Sequence, residues 1–212
     1  MALELESAVY NPDDRPKRVE EGVYPAHIAS LETKDVNTRA GQAIVVNMTY
    51  KVADEVADQT QPMWEMDGYK YVLDQDSNKI PVMNGSGKQM EESCDHLLGR
   101  TFYDNGWFVF TTSQSSSKNE RYFSLLDKLG VKCKEQQVDG KKVKRLVLLE
   151  EDDVLGKPVL VTVKRQSYIT KETKELPKDQ QEKRNIFRVT NLDLWRSGVY
   201  LSNDEVKGDV PF

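Results

Sequence analysis

The chain has 212 residues, of which 38% are hydrophobic and 31% are charged, and its formal net charge is −5. This length suits one large domain or one domain with extensions. No apolar run approaches the roughly 20 residues that a membrane-spanning helix needs, so we expect no contact with a membrane. The acidic start, residues 1–6, argues against a secretory signal. A negative net charge disfavours non-specific binding to nucleic acid, unless the acidic residues are concentrated away from a basic face.

Catalytic and metal-binding patterns have little support in the sequence. Cys94 and Cys133 lack CxxC spacing, which predicts free thiols in a reducing compartment. Cys94 and His96 are two residues apart, but no further Cys/His cluster completes a metal site. We therefore predict no catalytic residue, no metal and no cofactor. A metal-dependent nuclease that uses the acidic run 150–153 is the weaker alternative, because an acidic helix start explains that run.

The first 62 residues predict an arm and then two strands. Residues 1–20 have the proline and charge pattern of an extended arm. The stretches 22–35 and 42–52 are β-prone and are joined by a polar loop. In the second stretch an apolar set of residues alternates with a half-polar set. The apolar set is Ile44, Val46, Met48, Tyr50 and Val52, and the half-polar set is Val45, Asn47, Thr49 and Lys51. A period of two predicts that the first set packs in a core and that the second faces solvent or a ligand.

The middle of the chain alternates aromatic runs with turns. Residues 63–73 and 80–83 predict a hairpin around a turn at 74–78, and residues 88–98 predict a short helix. The Asn105-Gly106 pair between β-prone runs predicts a second hairpin, because both residues tolerate positive φ.

The last third predicts a helix followed by more strands. Residues 117–129 predict a helix that begins with a capping box of Ser117 and Glu120 and ends at Gly130. The Asp139-Gly140 pair predicts another hairpin. Strands are then predicted at 158–166 and 185–194 around the charged loop 167–184, and the acidic tail 195–212 has little to pack.

This order of short strands with one interposed helix predicts a mostly β protein. The class is an OB-like Greek-key barrel with hairpin insertions and one helix, although other small β-barrels fit the same order. The barrel domain is predicted to span 21–194, with insertions at 60–110 and 131–149, between the arm 1–20 and the tail 195–212.

Four ordered blocks carry a resemblance to a known family. They are Gly22-Val-Tyr-Pro-Ala-His-Ile, the strand 44–52, Arg121-Tyr-Phe-Ser-Leu-Leu-Asp-Lys-Leu-Gly130 and Asp153-Val-Leu-Gly-Lys-Pro-Val-Leu-Val-Thr-Val-Lys164. With the leader Tyr10-Asn-Pro-Asp, they resemble the bacteriophage single-stranded-DNA-binding proteins with an OB fold. The resemblance implies sequence-independent binding of single-stranded DNA in phage replication, recombination or repair, in the cytoplasm of an infected bacterial host. The aromatic residues at 60–110 depart from the shortest family members, so the resemblance assigns them no role.

The last four residues add a second resemblance. Asp209, Val210, Pro211 and Phe212 are similar to the C-terminal tip of bacterial single-strand-binding proteins. A carboxylate and a phenyl ring on one residue need an apolar pocket beside a basic group, and Pro211 stiffens the tip. The similarity implies that replication and recombination proteins bind here. A phenylalanine that ends the chain by chance is the alternative.

Sequence-neutral binding of single strands needs aromatic faces, each worth about 1–3 kcal/mol per stacked base. Trp107, next to the Asn105-Gly106 turn, is the first choice for stacking, and a core tryptophan is the alternative. Tyr69 and Tyr71 share a strand face that suits either two successive bases or the edge of a core. The other aromatic residues divide into an ambiguous pair, Trp64 and Tyr103, and a group assigned to packing, Phe102, Phe108, Phe110 and Phe123.

Cations that follow the phosphates are the second requirement. The predicted contacts lie on the surfaces and loops that OB folds use: Lys34 and Arg39 in the first loop, Lys51 on the second strand, Lys164, Arg165 and Tyr168 near the end of the fourth strand, and Arg188 in the fifth. Each of these cations, taken singly, is explained as a solvated surface residue. The prediction therefore requires that the cations lie together on one face of the barrel. The basic run 141–145 is assigned to a lysine-guarded edge strand. The alternative function is a protein-interaction or assembly module without DNA, and a homo-oligomer is compatible with either function.

Overall fold

The computed structural model describes residues 18–67, 70–111, 117–138, 141–202 and 205–206, without the side chains of 135, 136, 138 and 141–144. The chain divides into two compact units. The smaller contains 57–96 and the segment that ends at Val19, and the larger contains 20–56 and 97–212. Within the described ranges, no helix has the length and apolar character to cross a bilayer.

Among the described residues, twelve strands and two helices have bounds that the structure defines. The strands are β1 Gly22–Thr38, β2 Gly41–Val52, β3 Thr60–Pro62, β4 Met66–Asp67, β5 Lys70–Tyr71, β6 Glu91–Ser93, β7 Thr101–Tyr103, β8 Trp107–Phe110, β9 Lys134–Val138, β10 Lys141–Arg145, β11 Pro158–Ile169 and β12 Lys183–Leu194. The helices are α1 Glu120–Lys128 and α2 Glu151–Val154, and 3-10 turns lie at Asp54–Asp58 and Asp95–Leu97.

The larger unit is built on one six-stranded antiparallel sheet. Its order is β12-β11-β1-β2-β7, and β8 also pairs with β2. A parallel bridge between Asp104 and Val189 joins the end of β7 to β12, so the two edges of the sheet meet. With α1 between β8 and β11, this confirms the mostly β class and its OB-like Greek-key barrel.

Alternating apolar residues fill the barrel, as their spacing predicts. Val46, Met48, Tyr50 and Val52 on β2 are buried, while Ile44 is half-buried and Val45 is also covered. One face of α1 completes the core with Tyr122, Leu125 and Leu126, and Gly130 follows the helix with a φ of 70°. Burying a large apolar side chain stabilises the fold by about 1.5–3 kcal/mol. The predicted hairpin around 139–140 is also present as β9 and β10.

Three local predictions are wrong, because the contacts that override them are distant in sequence. Residues 88–98 form no regular α-helix: β6 pairs with β3, and a 3-10 turn buries Leu97. Strands β7 and β8 do not pair with each other, since both pair with β2. The N-cap of α1 is Asn119 rather than Ser117, and the Asn119 side chain bonds both backbone groups of Phe110.

Part of the predicted tail packs against the barrel. We call residues 195–202 and 205–206 the C-terminal strap. The ring nitrogen Nε2 of His27 lies 2.8 Å from the carbonyl oxygen of Val199, and Leu201 N–H donates to Gly156 O over 3.1 Å. Val206 is fully buried in an apolar cluster with Ala29 and Leu155. The strap is therefore part of the folded unit.

The smaller unit is made of short paired segments, β3 with β6 and β4 with β5. The turn predicted at 74–78 is confirmed, since Asp74 N–H donates to Asn78 O over 2.9 Å. A second turn repeats it ten residues on, where Asn84 N–H donates to Lys88 O over the same distance. Residues 97–110, which the sequence analysis placed in the insertion 60–110, belong to the larger unit instead, and β7 and β8 lie in its sheet.

Candidate nucleic-acid interface

One face of β2 points away from the core and continues onto both neighbouring strands. Thr49 lies opposite Ser30 on β1 and opposite Tyr103 on β7. Val45 likewise lies opposite a residue on each side, and directly opposed residues of antiparallel strands share a face. We call this surface the outer face, and it comprises Ser30, Glu32, Lys34, Val45, Asn47, Thr49, Tyr103, Phe108 and Phe110.

Tyr103 places an exposed ring on the outer face. Its relative exposure is 48%, and the guanidinium carbon of Arg188 lies 5.7 Å from the ring centroid. On β12, Arg188 is paired with Lys164 of β11. A cation over an aromatic face is attracted by the quadrupole of the ring. The contact therefore brings an exposed aromatic ring and basic residues of the β11–β12 hairpin together.

Phe108 is a second exposed ring, so its assignment to packing is wrong. It is 41% exposed because its side chain lies on the outer side of β8, opposite Val45 and not toward the core. Its ring centroid is 6.4 Å from that of Phe110, and the planes differ by 21°. The ammonium of Lys118 lies 5.6 Å from the Phe110 centroid. These rings extend the aromatic surface along the strand.

Trp107, the first choice for stacking, lies in the core. It is 4% exposed, and its indole N–H donates to the carboxylate of Asp104 over 2.8 Å. The guanidinium of Arg121 covers its ring at 4.6 Å. Trp107 lies on the inner side of β8 because that strand pairs with β2 and not with β7. A base has no access to this ring, so the alternative of a core tryptophan is correct.

The Asp104 carboxylate organises the loop between β7 and β8. It is 8% exposed and accepts hydrogen bonds from Tyr50 Oη–H, Trp107 Nε1–H and Gly106 N–H over 2.8–2.9 Å. Met48 N–H approaches it at 3.3 Å. Burial raises the pKa of Asp104 although its donors oppose this, and burial beside that carboxylate raises the pKa of Tyr50 well above its ordinary value. The network fixes the ends of β7 and β8 against β2.

Gly106 brings the same loop close to the outer face. Its φ is 81°, and an added Cβ would lie 2.3 Å from Val45 Cγ1 and 2.8 Å from Asn47 Oδ1. The neighbouring Asn105 donates from Nδ2 to Gln166 Oε1 of β11 over 2.8 Å. The loop therefore lies over the β2 face between Tyr103 and Phe108 and contacts the β11–β12 hairpin.

The structure places the predicted cations on the hairpins and strands of the larger unit. Lys34 and Arg39 are exposed on the β1–β2 hairpin, and Lys164 and Arg165 are exposed on β11. The half-buried Lys51 lies on β2 opposite Thr101 and His27. In the β11–β12 hairpin, Tyr168 is 45% exposed and lies opposite Arg184.

Two predicted tyrosines fall in the stretch assigned to the insertion. Tyr71 belongs to the smaller unit, where the guanidinium carbon of Arg18 lies 5.2 Å and the ammonium of Lys79 lies 4.0 Å from its ring centroid. Tyr69 lies outside the described residues, as do the predicted partner-binding residues Asp209, Val210, Pro211 and Phe212. These positions therefore stay predictions.

Charge is unevenly distributed along the sequence. Residues 57–96 hold eight acidic and three basic side chains, a net −5 that equals the net charge of the whole chain. The β11–β12 hairpin, from 164 to 188, holds eight basic and four acidic side chains, a net +4. The overall negative charge is therefore no objection to anion binding at this hairpin.

The C-terminal strap borders the outer face. The strap contacts His27, and His27 lies opposite Lys51 on β2. Lys51 is two residues from Thr49, the partner of Tyr103, which corresponds to about 7 Å along a strand. Residues 207–212 follow directly after Val206 of the strap.

Other chemistry at this surface has less support. Among the described residues, no three His, Cys, Asp or Glu side chains form a group that could hold a metal ion. The outer face offers instead the exposed rings of Tyr103 and Phe108 and the exposed Lys34, and further cations lie on the adjoining β11–β12 hairpin, a combination that suits stacking and phosphate contacts. No family model, no curated protein and no solved structure matches the chain.

Proposed function

We propose that the protein binds single-stranded DNA without sequence preference through the outer face and the adjoining β11–β12 hairpin. The observation that carries this proposal is the exposed ring of Tyr103 under the guanidinium of Arg188, on the same face as Phe108. The proposed setting is phage replication and recombination in the host cytoplasm, as the resemblance of the four sequence blocks implies. In this role the protein coats DNA and performs no catalysis.

The chemistry of the face explains why such binding would tolerate any sequence. Every base has a π-face, so stacking on Tyr103 contributes about 1–3 kcal/mol whichever base is present. Arg188 and Lys164 lie side by side on β12 and β11, and we assign phosphate contacts to them. Phosphate contacts carry no sequence information, and they release counterions from the strand.

Labelled oligo-dT should bind saturably and without cleavage, with or without Mg²⁺. Affinity should fall steeply between 50 and 200 mM salt, because each phosphate contact releases counterions. Fluorescence anisotropy measures the binding, and gel analysis of the same oligonucleotide detects cleavage. Replacing Tyr103 with leucine should weaken binding by about tenfold, within the range that one stacked base contributes.

Tyr200→Leu provides the matched control for Tyr103→Leu. Tyr200 is 63% exposed in the strap and is not on the outer face, so its replacement should leave the affinity unchanged. An absence of binding by the unaltered protein would reject the proposed function in favour of an assembly module. Cleavage that requires Mg²⁺ would select the nuclease instead.

We further propose that the C-terminal tip binds replication and recombination proteins and competes with DNA. Deleting residues 207–212 should tighten oligo-dT binding at low salt, because it removes the acidic Asp209 next to a strap that borders the outer face. The deletion leaves the buried Val206 in place, so the strap should stay folded. Anisotropy titrations of the two forms at 20 and 200 mM NaCl measure the effect.

Phe212→Ala separates the two roles of the tip. This change keeps the acidic charge, so DNA affinity should match that of the unaltered protein while capture of host replication proteins is lost. Equal DNA affinity of the full and truncated chains at both salt concentrations would contradict competition by the tip.

A further inference from the structure

Phe108 and Phe110 lie two residues apart on the same side of β8, and their nearly parallel rings are on the outer face. Their ring planes differ by 21° and their centroids are 6.4 Å apart. Successive stacked bases are about 3.4 Å apart, so one planar group held between two parallel rings needs a separation of about 6.8 Å. The centroid distance of 6.4 Å is an upper limit on the separation of the two ring planes, so these nearly parallel rings must move apart by at least about 0.4 Å to hold a base between them.

Both rings are partly exposed, and cations lie close to them. Phe108 is 41% exposed and Phe110 is half-buried. Lys118 lies 5.6 Å from the Phe110 centroid, and its ammonium is anchored by a 3.1 Å hydrogen bond to Ala40 O in the β1–β2 turn. Lys34 lies in the same cross-strand row as Phe108, with Val45 between them.

We propose that Phe108 and Phe110 form a slot for one unpaired nucleobase, which is contacted on both of its faces. This inference rests on the proposed function and deepens it, because it defines the ligand of this part of the surface as a base free of Watson–Crick pairing. A base within a duplex is already stacked above and below and cannot enter the slot without being extruded. The slot therefore favours single strands over duplex DNA, whereas cations alone would bind either.

The proposal that one base contacts both rings predicts how much affinity is lost when each ring is removed. If one base contacts both, removing either ring releases that base from the slot, and removing the second then costs little more. If each ring stacks on a separate base, the two losses add. Side chains that share a partner give non-additive effects, which a double-mutant cycle measures.

The experiment compares oligo-dT with an abasic oligonucleotide of equal length. The variants are Phe108→Leu, Phe110→Leu and the double variant, with Tyr200→Leu as the control for loss of an exposed aromatic ring. Each single variant should bind oligo-dT about tenfold more weakly, in the range expected for one stacked base, and the double variant should lose less than threefold beyond either. All variants should bind the abasic strand as tightly as the unaltered protein does, because phosphate contacts are unchanged.

The outcomes separate the slot from the function on which it rests. Failure of the unaltered protein to bind oligo-dT overturns both proposals. Binding by the unaltered protein with additive losses in the double variant, or with unchanged affinity in the single variants, overturns the slot alone. An equal loss of affinity for the abasic strand also overturns the slot, because the rings would then act through the backbone of the DNA. Thermal unfolding of each variant confirms that these surface changes leave the fold intact.

Discussion

Replacing Asp104 with alanine should lower the free energy of unfolding by about 4 kcal/mol. The change leaves Tyr50 Oη–H, Trp107 Nε1–H and Gly106 N–H without their acceptor in a buried site. Each buried donor that loses its partner costs about 1–3 kcal/mol. For a chain of this length the loss corresponds to a fall in melting temperature of about 10 °C. Thermal and urea unfolding followed by circular dichroism measure both quantities.

Asp104→Asn and Asp179→Ala are the control variants for Asp104→Ala. Asparagine keeps the shape of the side chain but turns an NH₂ group toward donors, so we expect roughly half of the loss. Asp179 is exposed in the loop between β11 and β12, and its replacement should change stability by less than about 0.5 kcal/mol. If the melting temperature of Asp104→Ala lies within about 2 °C of that of the unaltered protein, the hydrogen-bond network adds little to stability.

The contacts of Asp104 explain why the strands of the barrel could be predicted from the sequence, whereas the side of the strand on which each aromatic residue lies could not. Alternation along β2 is a local signal, so its buried set could be predicted from spacing alone. The pairing of β7 and β8 with β2 depends on donors from Tyr50 and Met48, more than 50 residues before Asp104. Without that knowledge the Asn105-Gly106 pair predicts a hairpin, and Trp107 is placed on the wrong side of its strand.

The candidate site was predictable only in part, for a related reason. Composition identified cations such as Lys34 and Arg188, and the structure shows them exposed or half-buried on the barrel. Their relation to a ring depends on which strands lie side by side, and this follows from the register of pairs such as Thr49 with Tyr103. A rule of period two applied to β7 alone leaves Tyr103 ambiguous between core and solvent.

The strap was missed because its anchors are single residues. Val206 contributes one fully buried side chain with Leu201 packed beside it, and hydrogen bonds join the backbone of the strap to Gly156 and His27. Such contacts leave no periodic pattern in the sequence. What the sequence does contain is a glycine at each close approach, 156 and 198, where an added Cβ would lie within 2.5 Å of a neighbouring atom.

Replacing Gly156 with alanine should therefore release the strap and destabilise the barrel by about 3 kcal/mol. The φ of Gly156 is 69°, which costs an L-residue about 1–2 kcal/mol, and the new Cβ would lie 1.9 Å from Leu201 O. The strap must move away, and it then loses the hydrogen bond from Leu201 N–H to Gly156 O and the burial of Val206. Unfolding measurements give the energy, and hydrogen exchange at residues 195–206 reports whether the strap is released.

Gly130→Ala separates the steric effect from the backbone effect. Gly130 has nearly the same φ, 70°, but nothing lies within 4 Å of its added Cβ. Its replacement should cost only the backbone penalty of about 1–2 kcal/mol and leave hydrogen exchange in the strap unchanged. The difference between the two glycine variants measures how strongly the strap is held beside the outer face. Equal losses in both would show that Leu201 accommodates the methyl group, and the strap would then be a loosely held segment.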